Sequence, residues 1–180
     1  NSVVTIGNGA FASSNLYSIR IPRSVVSFDG NPFVFCDKLE VVDVSENPNF
    51  VLVDGVLMDR GRTQIIYCNP SKSGKCTIPN TVVSIHQNAF RNCNRLTLIT
   101  IPNSVKSIGW SAFRGCNGLK SVKIPKSVTS IEGYSFGDCS SLKTVSVPKK
   151  LFYPDNTFPN GVRIKKYWSP QIPRFGPFSL

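Results

Sequence analysis

The sequence predicts a mainly β repeat solenoid, a stack of short coils whose strands form a parallel sheet. Three observations predict it. An Ile-Pro or Val-Pro step recurs every 23 residues, at Ile78-Pro79, Ile101-Pro102, Ile124-Pro125 and Val147-Pro148. The same positions recur between these steps: Val82, Val105 and Val128, then Ile85, Ile108 and Ile131, then Phe90, Phe113 and Phe136, then Cys93, Cys116 and Cys139, then Leu96, Leu119 and Leu142. Finally, 13 Pro and 13 Gly are spread over 180 residues, which leaves little room for long helices. Self-similarity at a short fixed period marks an array of stacked units.

The elements follow in chain order. Val3, Ile6, Phe11, Leu16 and Ile19 form a partial copy, one residue shorter than the others and without the Cys. Asn1-Ser2-Val3 matches Asn103-Ser104-Val105, so the chain reads as beginning just after an Ile-Pro step of a longer array. Ile21-Pro22, Val25, Phe28, Phe33, Cys36, Leu39, Val42 and Val44 form the next copy, completing a regular region over 1–46. The interval from Val44 to Ile78 is 34 residues instead of 23, and residues 47–77 read as an insertion. Within it, β-forming runs flank Asp54-Gly55, a strong hairpin signal, so the expectation is a β-hairpin that widens one coil. Regular copies resume over 78–146. The pattern decays over 147–168, where Phe158 falls one residue early and Val162–Tyr167 can form a last strand; this segment reads as a cap that shields the end of the array. Residues 169–180 form a Pro- and Phe-rich tail. The whole is one solenoid over 1–168, with about five regular coils.

Each unit is too short to bury its own apolar face, so the columns must be buried by stacking. Leu119–Ile124 alternates and reads as a strand, and stacked copies would form a parallel sheet at ~4.8 Å per coil. The Pro that follows removes a backbone donor and turns the chain. Val105–Ile108 reads as a short opposite wall, and Ala112–Cys116 as a 3₁₀-type turn with Phe113 pointing inward.

The recurring pattern I-P-x-S-V-x-S-I-x-x-x-A/S-F-x-x-C-x-x-L-x-x-V-x-I resembles the BspA-like leucine-rich repeat, also called the Treponema pallidum type, over 1–46 and 78–146. The resemblance implies a curved leucine-rich-repeat solenoid. It also implies a function: a non-catalytic binding module, the C-terminal part of an adhesin-like protein at the cell surface or secreted. Its partner would be a protein or glycan on a host or neighbouring cell. An Asp-Gly-Val-Leu element like that at 54–57 occurs in the family as an elaborated repeat.

The chemistry-bearing residues are sparse. The 23-residue spacing of Cys36, Cys93, Cys116 and Cys139 within their copies is no metal pattern, since zinc sites pair ligands two to four residues apart; they read as buried thiols that pack as small hydrophobes. Two readings stand for Cys68 and Cys76: free thiols, or a disulfide stapling 69–75 in an oxidising compartment. His86, the single histidine, has no acidic repeat column beside it and reads as a surface side chain. There is no phosphate loop, calcium repeat or catalytic order, so no cofactor or metal is expected. Polysaccharide lyases and hydrolases need clustered carboxylates. The acids number ten, and Glu40, Asp43 and Glu46 gather by one strand without acidic neighbours on the next coils. A carbohydrate-active enzyme is therefore the weakest alternative, after a structural spacer without its own ligand. The basic residues behind the net charge of +11 are spread along the chain, favour its ends and run densest near the cap, where solubility alone accounts for them or they attract a partner. The charge suits acidic glycans or anionic surfaces better than nucleic acid, because the aromatics fall in the core column. No apolar run is long enough for a membrane-embedded helix.

In the strands, one outward row should hold Arg20, Asp43, Thr100, Lys123 and Ser146, and another Ser18, Val41, Leu98, Ser121 and Thr144. Val41 and Leu98 are apolar on this polar face and, by the repeat, would lie on adjacent coils. Either the hairpin of 50–67 covers them, or they form the centre of a protein-contact patch flanked by Glu40, Asp43 and Lys123.

Overall fold

A computed structural model describes residues 2–168. Short strands alternate between two walls. One wall carries β2 (Ser18–Arg20), β4 (Val41–Asp43), β8 (Gly74–Thr77), β10 (Leu96–Thr100), β12 (Ser121–Lys123), β14 (Thr144–Pro148) and β15 (Arg163–Tyr167). The other carries β1 (Thr5–Ile6), β3 (Ser27–Phe28), β5 (Phe50–Val53), β6 (Val56–Asp59), β7 (Gln64–Cys68), β9 (Ser84–Ile85), β11 (Ser107–Ile108) and β13 (Ser130–Ile131). Coil-to-coil pairing is parallel, with repeat positions in register: Ser107 opposes Ser84 and Ser130, and Val122 opposes Val145. The turns are laddered as well. Phe90, Phe113 and Phe136 donate their N–H groups to the carbonyls of Ala112, Ser135 and Thr157 in the next coil. This answers the requirement that a buried backbone satisfy its donors and acceptors.

The apolar columns are interior. Phe90, Phe113 and Phe136 are fully buried and stack ring on ring, with centroids 4.9 Å apart at both steps. Phe158 extends the stack at 5.6 Å from Phe136, although it falls one residue early in the sequence. A 3₁₀ turn at Asp155–Thr157 and strand β15 follow, β15 pairing in parallel with β14.

The elaborated segment differs from the hairpin that its Asp-Gly signal suggests. Asp54 and Gly55 do form the turn, both at positive φ (50° and 75°), as a type I′ turn requires. But β5, β6 and β7 make a three-stranded antiparallel meander, and β7 then pairs in parallel with β9. Val56, Met58, Ile65 and Cys68 pack into the core toward the C-terminal end, while Phe50, Leu57, Ile66 and Tyr67 pack into the core toward the N-terminal end. The meander partitions the interior, with β6 and β7 buried on both faces and Leu52 and Val53 of β5 exposed. That is why Ile65-Ile66-Tyr67-Cys68 reads as an uninterrupted apolar run instead of alternating. Beyond it, β8 is an ordinary wall strand, with Cys76 opposite Ile99 in the inward column. The sequence placed 74–77 inside the insertion because Gly74 and Cys76 stand where other copies have Leu and Ile or Val. The two apolar residues expected on adjacent coils, Val41 on β4 and Leu98 on β10, are therefore separated by the coil of β8.

Candidate functional site

The outward face of the wall that carries β8 to β15 is where the polar rows lie. Within each of the three ladders of this wall the register aligns members of both rows and adds new ones, but no ladder joins β4 to β8 or β10 to β12 among the described residues. Lys75 opposes Leu98, and Thr77 opposes Thr100. Thr144 lies between Ser121 and Arg163, and Ser146 between Lys123 and Lys165. Neither Lys75 nor the β15 residues was placed in these rows from sequence, because their coils break the period.

At the N-terminal end, β2 and β4 form their own two-stranded ladder. Val41 is exposed there (47%). The carboxylates beside it are already engaged. Glu40 accepts a hydrogen bond from the Tyr17 hydroxyl at 2.6 Å, which raises the Tyr17 pKa because the neutral phenol is the donor. Asp43 accepts from the Ser45 backbone and hydroxyl at 2.9 and 2.6 Å and from Arg20 Nε at 2.9 Å. These bonds, those from Ser45 foremost, hold its carboxyl below the usual range. Leu98 is also exposed (39%). The meander lies in the opposite wall, so it covers neither residue.

Leu98 and Lys123 do come together, without Val41, Glu40 or Asp43. β10 carries a register irregularity between Leu96 and Leu98. Among the described residues it forms a ladder with β8 alone, and β12 pairs with β14 alone. The coils touch closely just before these strands, where a Cβ at Gly118 would overlap the carbonyl oxygens of Asn94 and Leu96. Farther along, no ladder joins β10 to β12 among the described residues, and a groove of about 640 Å³ opens over β10, β12 and β14. Leu98, Thr100, Lys123, Lys126, Tyr167 and Trp168 are among its lining residues. Tyr167 is held across the face by its hydroxyl, which donates to the Ile124 carbonyl at 2.7 Å, and Lys123 Nζ sits 5.4 Å from its ring centroid. Trp168 is exposed (66%), with Lys149 Nζ 4.3 Å from its ring centroid. The aromatics were missed from sequence. The available signal was register: Tyr167 opposes Pro148 and so belongs to the column of the step prolines.

The thiols belong to the interior. Cys36, Cys93, Cys116 and Cys139 are buried and free, as are Cys68 and Cys76. All four of the column are also donors: Cys36, Cys116 and Cys139 give their S–H to the Phe11, Phe90 and Phe113 carbonyls of the preceding coil at 2.9, 3.1 and 3.1 Å, and Cys93 makes a longer bond to the Cys68 carbonyl at 3.7 Å. The column thus stitches coil to coil, a role beyond the packing read from sequence. Burial pushes the Cys139 thiol up to about 12 and Cys76 up to about 11. His86 is half-buried on the opposite wall, not a freely exposed side chain, and burial lowers its imidazole pKa. Among the described residues no group of three or more His, Cys, Asp or Glu side chains is placed to hold a metal ion, and no helix is long and apolar enough to cross a membrane.

Comparison with known proteins agrees with this architecture. Among curated proteins none matches the chain. A leucine-rich repeat protein from Eubacterium ventriosum shares 32% identity and a TM-score of 0.75 over 84% of this chain and 41% of its own. A leucine rich cell surface protein from Faecalibacterium prausnitzii shares 26% identity and a TM-score of 0.73 over 93% of this chain and 52% of its own. The pneumococcal vaccine antigen PcpA has the same fold, at 23% identity and a TM-score of 0.71 over 92% of this chain and 49% of its own. The chain thus spans about half the length of these structures or less. The pattern of the BspA type leucine rich repeat region matches residues 1–52 and 64–172 in six copies, and the chain belongs to that family.

Proposed function

We propose that the chain is a non-catalytic binding module of a bacterial cell-surface or secreted protein, offering the outward face of its main wall to a protein or glycan. The unit that binds is the solenoid of residues 1–168, with the meander and the cap as parts of its frame. The observation that carries this reading is the groove over β10, β12 and β14. There the ladder lapses, and Leu98, Tyr167 and Trp168 stand beside Lys123 and Lys126 on an otherwise polar sheet. Ligand sites of ~300–1,000 Å³ combine apolar walls with a few fixed polar groups. Val41, beside Glu40 and Asp43, forms a separate and smaller contact point on β4. The non-catalytic part is supported by the acids: Glu40 and Asp43 are tied to Tyr17, Arg20 and Ser45, and none of the groove-lining residues is acidic. The surface location is supported by the Faecalibacterium prausnitzii relative, which is described as a cell surface protein.

An array of purified extracellular matrix proteins and glycans, probed with the chain, tests the proposal. A specific partner should be retained by the native chain and lost on Leu98→Ser. Silence across the array would make the chain a spacer, and turnover of a glycan would make it an enzyme.

A further inference from the structure

Resting on the binding-module reading, we propose that the groove over β10, β12 and β14 takes an acidic polysaccharide, a chain of sugars bearing uronate carboxylates or sulfate groups. Three independent features point to this ligand. The first is the floor. β10 and β12 run side by side with no ladder between them, and Ile99, Ile101 and Val122 contribute to the lining. Peptide groups that elsewhere in the wall pair coil to coil have no partner across this gap, and a buried or half-buried peptide group seeks one. Thr100, Asn103, Ser121 and Ser146 add side-chain donors and acceptors along the same floor. A hydroxyl-rich ligand satisfies such a surface, whereas an apolar protein anchor would leave it unpaired.

The second feature is the aromatic wall. Tyr167 is fixed by its bond to the Ile124 carbonyl, and Trp168 follows it at the groove's edge. Rigid rings of this kind supply contact area at low entropic cost and carry a polar handle. The apolar C–H face of a sugar ring fits against them while its hydroxyls reach the floor.

The third feature is charge. Lys123 and Lys126 line the groove, and neither forms an ion pair with a described residue. Arg163 and Lys165 extend the basic surface along β15, opposite Thr144 and Ser146. No acidic side chain contributes to the lining, and the chain carries a net charge of +11. A neutral glycan would leave these ammonium groups unmatched; carboxylate or sulfate groups meet them with charge-assisted hydrogen bonds.

The test is calorimetric titration of the 180-residue chain with four probes. These are a heparin-derived hexasaccharide, an oligogalacturonate of the same length, neutral maltohexaose, and phosphatidylserine vesicles. One or both acidic oligosaccharides should bind, more weakly as salt rises, and maltohexaose should not. Lys123→Gln with Lys126→Gln should weaken binding by about tenfold or more, and Trp168→Ala should weaken it separately with the charge intact. Equal binding of maltohexaose would overturn the acidic assignment. So would acidic binding that is indifferent to Trp168→Ala and matched by the vesicles, since that marks diffuse attraction to a polycation. If no oligosaccharide binds but the array identifies a protein partner lost on Leu98→Ser, this inference falls and the binding-module reading stands. Silence in both experiments removes both.

Discussion

Phe113→Ala probes the principle on which the array is built, that each coil is stable only through the coils on either side. Phe113 has no exposed surface and lies between Phe90 and Phe136, both rings within 12° of parallel to its own and 4.9 Å away. Truncation to Ala opens a cavity roofed and floored by two rings that are themselves laddered to their neighbours through the backbone, so collapse is restricted. Deleting a buried Phe side chain costs ~3–5 kcal/mol, and the loss of two stacked pairs, each worth ~0.5–1.5 kcal/mol beyond area burial, places this site toward the upper end. For a domain of this size that corresponds to a fall in melting temperature of ~6–20 °C. The control is Phe11→Ala. Phe11 is half-buried and stacks on Phe33 alone, 5.8 Å away, so its loss should be less than half as large. Thermal melts followed by circular dichroism, with urea titrations alongside, measure both. A Phe113→Ala melt within ~2 °C of the parent, or a loss at Phe11 as large as that at Phe113, would refute the stacking argument.

The thiols yield two further expectations. Cys93, Cys116 and Cys139 should resist alkylation at neutral pH in the native chain and react fully in denaturant, because all three are buried; rapid native labelling counted by mass spectrometry would contradict the interior placement. Because burial raises the Cys76 and Cys139 pKa values to about 11 and about 12, the folded state prefers the neutral thiol. The unfolded chain ionises first, near its ordinary pKa of ~8.5. Stability from these groups should therefore be complete below about pH 8.5 and decline as pH rises toward 11–12, and urea midpoints that rise over that interval would reverse the sign. Finally, Val41→Ser and Leu98→Ser should each change stability by no more than ~0.5 kcal/mol, as exposed substitutions do. A clear loss of stability in either, with partner binding intact, would identify it as a packing residue.

The legible part of this fold is the part that repeats. Phe113 could be assigned to a buried column from sequence because the same residue type stands 23 positions away on both sides, and only stacking explains that. The meander was harder, because periodicity says nothing about a segment that occurs once. Asp54-Gly55 marked its turn, yet Ile65-Ile66-Tyr67-Cys68 is compatible with any strand buried on both faces. Only the structure shows that Ile65 and Cys68 serve one core while Ile66 and Tyr67 serve the other. The β8 strand was hidden by substitution: Cys76 performs the inward packing that Ile99 and Val122 perform on other coils, but it does not resemble them as a letter. The donor role of the cysteines was hidden for a different reason. A thiol aimed at a carbonyl one coil away depends on stacking geometry, and the same residue would be chosen for packing alone.

The candidate site follows from the same logic. In a regular stretch of the array every coil presents the same backbone and, apart from its outward side chains, the same surface, so no coil is better suited to a ligand than its neighbour. Distinctiveness arises where the repeat fails. β10 is irregular between Leu96 and Leu98, and the ladder to β12 is lost there. The last coil replaces the step proline with Tyr167, and Trp168 follows in the chain. These departures converge on one groove, although they lie some 70 residues apart in the chain. One gives up hydrogen bonds between strands, and the other, although Tyr167 gains a bond to the Ile124 carbonyl, leaves the large aromatic of Trp168 exposed. Local departures of this kind are where function is expected in a protein whose other levels of organisation agree. The rigid coils on either side then act as the scaffold that fixes the distance between Lys123 and the aromatic pair. The opposite view is that the irregularity at β10 is an incidental consequence of the neighbouring meander. It requires that restoring a regular copy, by replacing Arg95–Thr100 with the Gly118–Lys123 sequence, leave ligand binding unchanged. Loss of binding with a higher melting temperature would show instead that the array gives up stability at this coil for its site.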